Sequence, residues 1–256
     1  MPGISRSGTG ELRVAGVDGL PEFVEGMRVG EEICSRVELR DGDVVVVSQK
    51  IVSKAEGRVR RLSSVIPGGE AQRLAAVLGK EPALVELILE ESREVLRAER
   101  GVLIAETRHG FVCANAGIDS SNLPEPDTVC LLPEDPDTSA RRIREEIRGT
   151  TGVAVAVIVS DSFGRAWRLG QVEVAIGCAG IAPLDDWRGR EDARGRKLEA
   201  TLIAVADEAA AAADLVRDKA CGIPVAIVRG LDRHISEDDG PGVAALRRPR
   251  RDDLFR

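Results

Sequence analysis

The segment Val153–Val159 reads VAVAVIV, an unbroken apolar run of alanine and β-branched residues. A run without a polar position cannot turn one face to water, so it predicts a strand buried on both sides, inside a sheet that other elements must cover. Val44–Val47, after the turn residues RDGD, is a second β-branched run, and Val102–Ala105 and Phe111–Ala114 flank RHG as the arms of a hairpin would. Helical periods lie between them. Leu84, Leu87, Ile88 and Leu96 mark one amphipathic helix, and Ser139–Arg148 a strongly charged one. A last long helix from about Lys197 to Asp218 places Leu198, Leu202, Val205, Ala209, Ala212 and Val216 along one stripe. Its alanines let neighbouring backbone approach closely.

Strands and helices alternate irregularly, which predicts an α+β class with mixed sheets and packed helices rather than a doubly wound sheet. The 256 residues suit one large domain or two small ones, and the polar stretch EPDTVCLLPEDPDTS, around Pro124 to Ser139, is the candidate subdomain boundary. The longest apolar runs fall far short of the roughly 18–20 residues that span a bilayer, and the N-terminus carries no apolar core of a signal peptide. The expectation is a cytoplasmic protein without membrane partners.

Composition narrows the chemistry. Five scattered cysteines, never spaced C-x-x-C, and two histidines, His109 and His234, suggest neither a disulfide framework nor a zinc site, so any metal should be a hard cation held by oxygen. Net charge is -7 and aromatics are scarce, against a nucleic-acid stacking platform. The basic RRPRR near the C-terminus is followed at once by Asp252 and Asp253 and reads as a solvated tail. The dinucleotide fingerprint and the phosphate loop are both missing.

Two segments, FVCANAGIDSSN and VAVAVIVSDSFGR, read as strands ending on Asp119 and Asp161. A carboxylate there is reachable and rigidly aimed, which suits a hard cation, with Ser162 as a neutral oxygen; the alternative is an ordinary turn former or helix cap. VVVVSQKIVSKAEGR runs from a strand into Lys50 and Lys54, in a chain with five lysines against 31 arginines. Such point charges suit polyphosphate, or else decorate a solvated strand end. GRAWRLGQ places Arg165 and Arg168 around Trp167, and DDWRGREDARGR is a second charged, glycine-rich segment. Together they describe a cleft for an anion, or two polar surface loops.

In their order these motifs resemble those of the coenzyme F(420)-0:L-glutamate ligases, the F(420)-0 gamma-glutamyl ligases. The resemblance rests on GLPEF, DGDVVVVSQKIVSKAEGR, ILEES, GFVCANAGIDSSN, LLPEDPDTSA, SDSFGRAWRLGQ, AIGCAGI, VADEAAAAADLV and GIPVAIVRGL, from about residue 11 to about residue 233. It implies a GTP-dependent enzyme that joins L-glutamate to the lactyl phosphodiester side chain of a deazaflavin and releases GDP and phosphate. It also implies a mixed α and β fold, an intertwined homodimer, two divalent ions, Mg2+ or Mn2+, and a monovalent cation such as K+. By position, Leu20, Pro21, Glu22, Phe23, Gln49, Lys50, Lys54 and Asn122 match the family's GTP contacts. Asp119, Asp161 and Ser162 match its metal ligands. Val216, Arg217, Asp218, Lys219, Ala220, Cys221, Gly222 and Ile223 match its phosphate-side loop, with Asp218 as a further metal ligand.

Ser162 stands where the family commonly has threonine, which keeps the oxygen, and VRDKACG is less glycine-rich than usual at its start. With 256 residues, the expectation from the resemblance is the ligase unit alone, without the flavin-binding domain fused to some members. Lys54, Asp119 and Asp161 are the residues expected to carry catalysis, by neutralising charge where two anions must meet. The rivals are another nucleotide-dependent ligase or phosphotransferase, and a catalytically silent binding relative. The latter has no need to keep Asp119, Asp161, Ser162 and Lys54 together.

Overall fold

A computed structural model describes residues 10–123, 125–217 and 222–254. In chain order the strands are β1 (Arg13–Gly16), β2 (Val44–Ser48), β3 (Val59–Arg61), β4 (Ser92–Glu99), β5 (Val102–Thr107) and β6 (Val112–Ala114), then β7 (Thr128–Cys130), β8 (Ala156–Arg165), β9 (Arg168–Ala179), β10 (Asp185–Asp186), β11 (Leu202–Ile203) and β12 (Val225–Arg229). The α-helices are α1 (Val29–Cys34), α2 (Gln49–Ala55), α3 (Gly69–Leu78), α4 (Pro82–Glu90), α5 (Pro136–Thr151) and α6 (Val205–Asp214). The class is α+β.

The central sheet runs β1-β12-β2-β8-β9, with β2 and β8 parallel and the other neighbours antiparallel. Its inner strands are buried on both faces, as the valine runs require. Side chains alternate along a strand, so Val45, Val47, Val157 and Val159 meet Ile143 and Ile147 of α5 on one side. Val44, Val46, Ala156 and Ile158 meet Ala206, Ala209, Ala210 and Ala213 of α6 on the other. Each fully buried valine contributes about 1.5–3 kcal/mol relative to exposure. A separate core joins α3 and α4 to the sheet β4-β5-β6. Leu131 belongs to that core and Leu132 to the core under α5, within the polar stretch 124–139.

Three expectations are corrected. The helix read through Leu96 stops at Glu90, because Glu91 is buried in an ion pair with Arg58 at 2.8 Å and Arg108 donates to the Glu91 carbonyl. Leu96 then lies in β4, which β5 pairs. The last helix spans only Val205–Asp214: Leu198 sits in a looped segment where Asp192 accepts from the Arg194 and Arg196 N–H groups, and Leu202 pairs with Asp186. The charged helix is longer than expected, since Asp135 caps it by accepting from Thr138 N–H at 3.0 Å and Gly152 closes it in the left-handed region. Among the described residues, no helix is long and apolar enough to cross a membrane.

Candidate active site

Strand β2 runs directly into α2, whose helical spacing puts Lys50 and Lys54 one turn apart on one face. Lys50 Nζ donates to Asp119 Oδ2 at 2.8 Å, to the Ser121 carbonyl at 2.7 Å and to Ser121 Oγ at 2.9 Å. Lys54, with its side chain 8% exposed, pairs with the Glu22 carboxylate and donates to the Asn122 carbonyl at 3.2 Å. Two lysines thus gather the segments around residues 20–23 and 119–122 against one helix. Gln49 is buried beside them, its amide oxygen fixed by the Ser53 hydroxyl at 2.9 Å.

Neither metal-binding candidate is at a strand end. Asp161 lies within β8, which continues to Arg165 because β9 pairs with it from Val157 onward, with register shifts between Val159 and Ser160 and between Gly164 and Arg165. Asp119 follows a single 3-10 turn, Asn115–Gly117, and bridges Cys130 in backbone hydrogen bonds. The interrupted pairing still points both toward one cavity.

That cavity, 450 Å³ in volume, is lined by Leu20, Pro21, Glu22, Phe23, Gln49, Lys50, Lys54, Asp119, Asn122, Asp161, Ser162, Arg217, Gly222 and Ile223 among others. Among the candidates, Val216 does not line it but packs partly buried against the α6 core, and Asp218, Lys219, Ala220 and Cys221 lie outside the described residues. Arg165, Trp167 and Arg168 sit at the tip of the β8–β9 hairpin, away from the cavity, where Trp167 is 82% and Leu169 98% exposed. The 185–196 segment is also absent from the lining. The cleft predicted from those two segments is therefore replaced, within one chain, by surface loops. Ser48, next to the lysine pair in the sequence, lines the cavity too, and Ser121, Glu173 and Asp214 line it without a signal of their own in the sequence.

The two aspartates titrate in opposite directions. Burial works against ionising Asp119, but the Lys50 ammonium and the N–H and hydroxyl of Ser121 outweigh it and hold the carboxyl below its usual value. Burial first, then the Glu173 and Asp119 charges, pushes Asp161 up to about 7. Nearby Cys113 and Cys130 are pushed by burial up to about 12 and about 11, so neither thiol is poised as a nucleophile.

The donor set is hard: two carboxylates that repel one another and a hydroxyl, all facing a cavity. Among the described residues, no group of three or more His, Cys, Asp and Glu side chains is arranged to hold a metal ion by itself. Two carboxylates and a hydroxyl are oxygen donors of the kind a hard divalent cation takes.

Comparison with known proteins identifies the family. Residues 19–230 match the family described as F420-0:Gamma-glutamyl ligase. The coenzyme F420:L-glutamate ligase of Methanothermobacter thermautotrophicus is 45% identical over 251 residues, covering 96% of this chain and 99% of that protein. The protein of the same name from Methanocaldococcus jannaschii is 41% identical over 248 residues, 96% of this chain and 97% of its own length. That of Archaeoglobus fulgidus is 46% identical over 222 residues, 86% and 88%. With the matched span holding every cavity segment, the chain is an enzyme of the F420-0:gamma-glutamyl ligase family.

Proposed function

We propose that this enzyme joins L-glutamate to the lactyl phosphodiester side chain of coenzyme F(420)-0 at the expense of GTP, releasing GDP and phosphate. The reaction is supported by the names of its relatives, and the nucleotide reading by one observation above all. One cavity brings two lysines, two aspartates and a buried arginine, Arg217, to one place suited to a polyphosphate beside a cation.

A free carboxylate is a poor electrophile. Transfer of the GTP γ-phosphoryl group to the acceptor carboxylate gives an acyl phosphate, and the amino group of glutamate then displaces phosphate to form the amide. The first step brings two anions together, so the protein's task is positioning and neutralisation. Lys50 and Lys54 are held at the cavity by groups that phosphate oxygens can replace: Asp119 and Ser121 for one, Glu22 and Asn122 for the other. Asp119, Asp161 and Ser162 would hold the divalent ions, Mg2+ or Mn2+, which supply Lewis-acid neutralisation of the phosphates, with K+ as a further cation.

Multiple-turnover GDP release should require acceptor, glutamate and divalent metal together, with at most one GDP per site formed when glutamate is left out, and mass spectrometry of the product should find the glutamate adduct. GDP formed without the acceptor would overturn the ligase reading. In the same assay Lys54→Ala should weaken GTP binding by about 10–100-fold, since a desolvated charge contact is lost; calorimetric affinity equal to the parent's would remove Lys54 from the phosphate site.

The working unit in this proposal is a cytoplasmic homodimer. The β8–β9 hairpin carries Trp167 and Leu169 exposed at its tip, an apolar end suited to a second copy. Light scattering should give twice 27.4 kDa, and Trp167→Ala with Leu169→Ser should shift the mass toward one chain. A monomeric parent protein would overturn the dimer.

A further inference from the structure

Glu173 has a role that neither the motifs nor the cavity's lysines account for. It sits on β9, directly across the hairpin from Ser162 in the antiparallel register. Its side chain is 9% exposed and faces a buried cation, Arg217, whose Nη2 donates to Glu173 Oε2 at 2.9 Å and to Ser160 Oγ at 3.0 Å. The other carboxylate oxygen, Oε1, accepts from Ser162 Oγ at 2.6 Å. Burying an ion pair yields little stability by itself. Placing a third carboxylate beside Asp161 is also costly, as the upward push on Asp161 records. The arrangement therefore invites a functional account.

Hydroxyl chemistry supplies one. A serine oxygen binds a cation through a lone pair, and it does so well only when its proton is directed elsewhere. Paired with the Arg217 guanidinium, Glu173 is an acceptor, so the proton of the short Ser162–Glu173 bond belongs to the serine. The bond directs the O–H toward Glu173 on β9, while Ser162 lines the cavity. Arg217 in turn fixes Glu173 and ties the β8–β9 hairpin to the segment leading into the phosphate-side loop.

We propose that Glu173 is a positioning residue for the divalent cation: it takes the Ser162 proton, so that the hydroxyl oxygen meets the ion as a lone-pair donor, and Arg217 holds it in that role. The inference rests on the reading of Asp119, Asp161 and Ser162 as the cation's ligands. Outer-shell partners of this kind typically change metal affinity by about 10–100-fold when removed.

The test is Mn2+ alone, titrated into the metal-free protein and followed by the electron paramagnetic resonance signal of the free ion. Glu173→Gln should weaken Mn2+ binding by about 10–100-fold, and Ser162→Ala should weaken it as well. Because Glu173 acts through Ser162, the double variant should bind no worse than the weaker single one, a coupling that a merely structural role would not produce. Glu173→Gln binding Mn2+ as tightly as the parent, or losses that simply add, would overturn the proposal. If Glu173→Gln does not fold, Glu173→Asp keeps the charge for Arg217 but withdraws it from the hydroxyl, and unchanged affinity there overturns the proposal equally. A parent protein that does not bind Mn2+, or an Asp161→Asn variant that binds it unchanged, would instead bring down the cation-site reading, and this inference with it.

Discussion

Asp161→Asn is expected to raise the melting temperature of the metal-free protein at pH 8 by about 5 °C while reducing turnover at saturating metal by at least about 100-fold. Both effects come from one carboxylate. Burial, reinforced by Glu173 and Asp119, holds the Asp161 carboxyl at about 7 in the folded chain, against about 3.9 for an aspartate in the unfolded one. Below about pH 4 both states are protonated and no cost arises. As pH rises toward 7 the unfolded chain sheds its proton first, so folding loses stability, and above 7 the whole cost is present. The full shift corresponds to roughly 4 kcal/mol, and partial exposure of the side chain reduces it to on the order of 2 kcal/mol. Asparagine stays neutral and can still accept the Ser162 N–H, so it removes the cost without removing the bond. Thermal unfolding in EDTA from pH 4 to 9 checks the sign: the variant's advantage should vanish at the acid end. No advantage at pH 8 would mean that Asp161 is not strained, and full activity at saturating metal would take it out of the site.

Such a strained carboxylate is the sort of feature that the linear sequence does not display. What it does display are the elements whose identity follows from local pattern. The run Val44–Val47 and the Ala156–Val159 part of the run from Val153 lie in a sheet that α5 and α6 cover on its two sides, whereas Val153–Val155 precede the strand and Ala154 is exposed. The hairpin around RHG is equally local, and β5 pairs with β6 as its residues require. Elsewhere local pattern is ambiguous and tertiary pairing decides. SREVL continues the helical period of α4 and also fits a strand, and the demand of β5 for a partner makes it β4. Leu198 and Leu202 share the phase of α6, but the aspartates and glycines before them form turns first. Asp135-Pro136 with Thr138 is a local cap that starts α5 three residues before its charged run, inside an otherwise polar stretch.

The site divides in the same way. Lys50 and Lys54 stand out as a rare pair, but what they hold, Glu22, Asp119 and Ser121, lies 32 to 71 residues away and is joined to them only by the fold. Their grouping was legible through resemblance to a family, not through spacing. Glu173 had neither aid. In QVEVAIG it reads as the polar position of an alternating strand, and only the hairpin register that sets it opposite Ser162 reveals it. Recognising Trp167 as a hairpin tip would not have sufficed, since counting back from the Arg165–Arg168 pair sets Ser162 opposite Gln171, and only the register shift between Gly164 and Arg165 moves its partner to Glu173.

The same hairpin supplies the largest expected effect on folding. Gly177→Ala is expected to destabilise the protein by about 3 kcal/mol or more, lowering its melting temperature by roughly 10 °C. Gly177 lies in β9 opposite Val159, and a Cβ there would come within 2.2 Å of the Pro136 carbonyl oxygen and 2.3 Å of its carbon. Both are backbone atoms, so no side chain can swing aside. The start of α5 cannot easily retreat either, because Asp137 accepts from Cys178 N–H at 2.8 Å and from Val243 N–H at 3.0 Å, stapling that first turn to β9. The methyl group must therefore break the staple or bend β9, the strand that carries Glu173 four residues away. Gly149→Ala is the matched control. It lies on the exposed side of the same helix with nothing within 4 Å of the new atom, and there alanine should stabilise by about 0.5–1 kcal/mol. Thermal melts of the two variants should move in opposite directions from the parent; a Gly177→Ala protein that melts with the parent would show that α5 and β9 are not packed backbone to backbone as described.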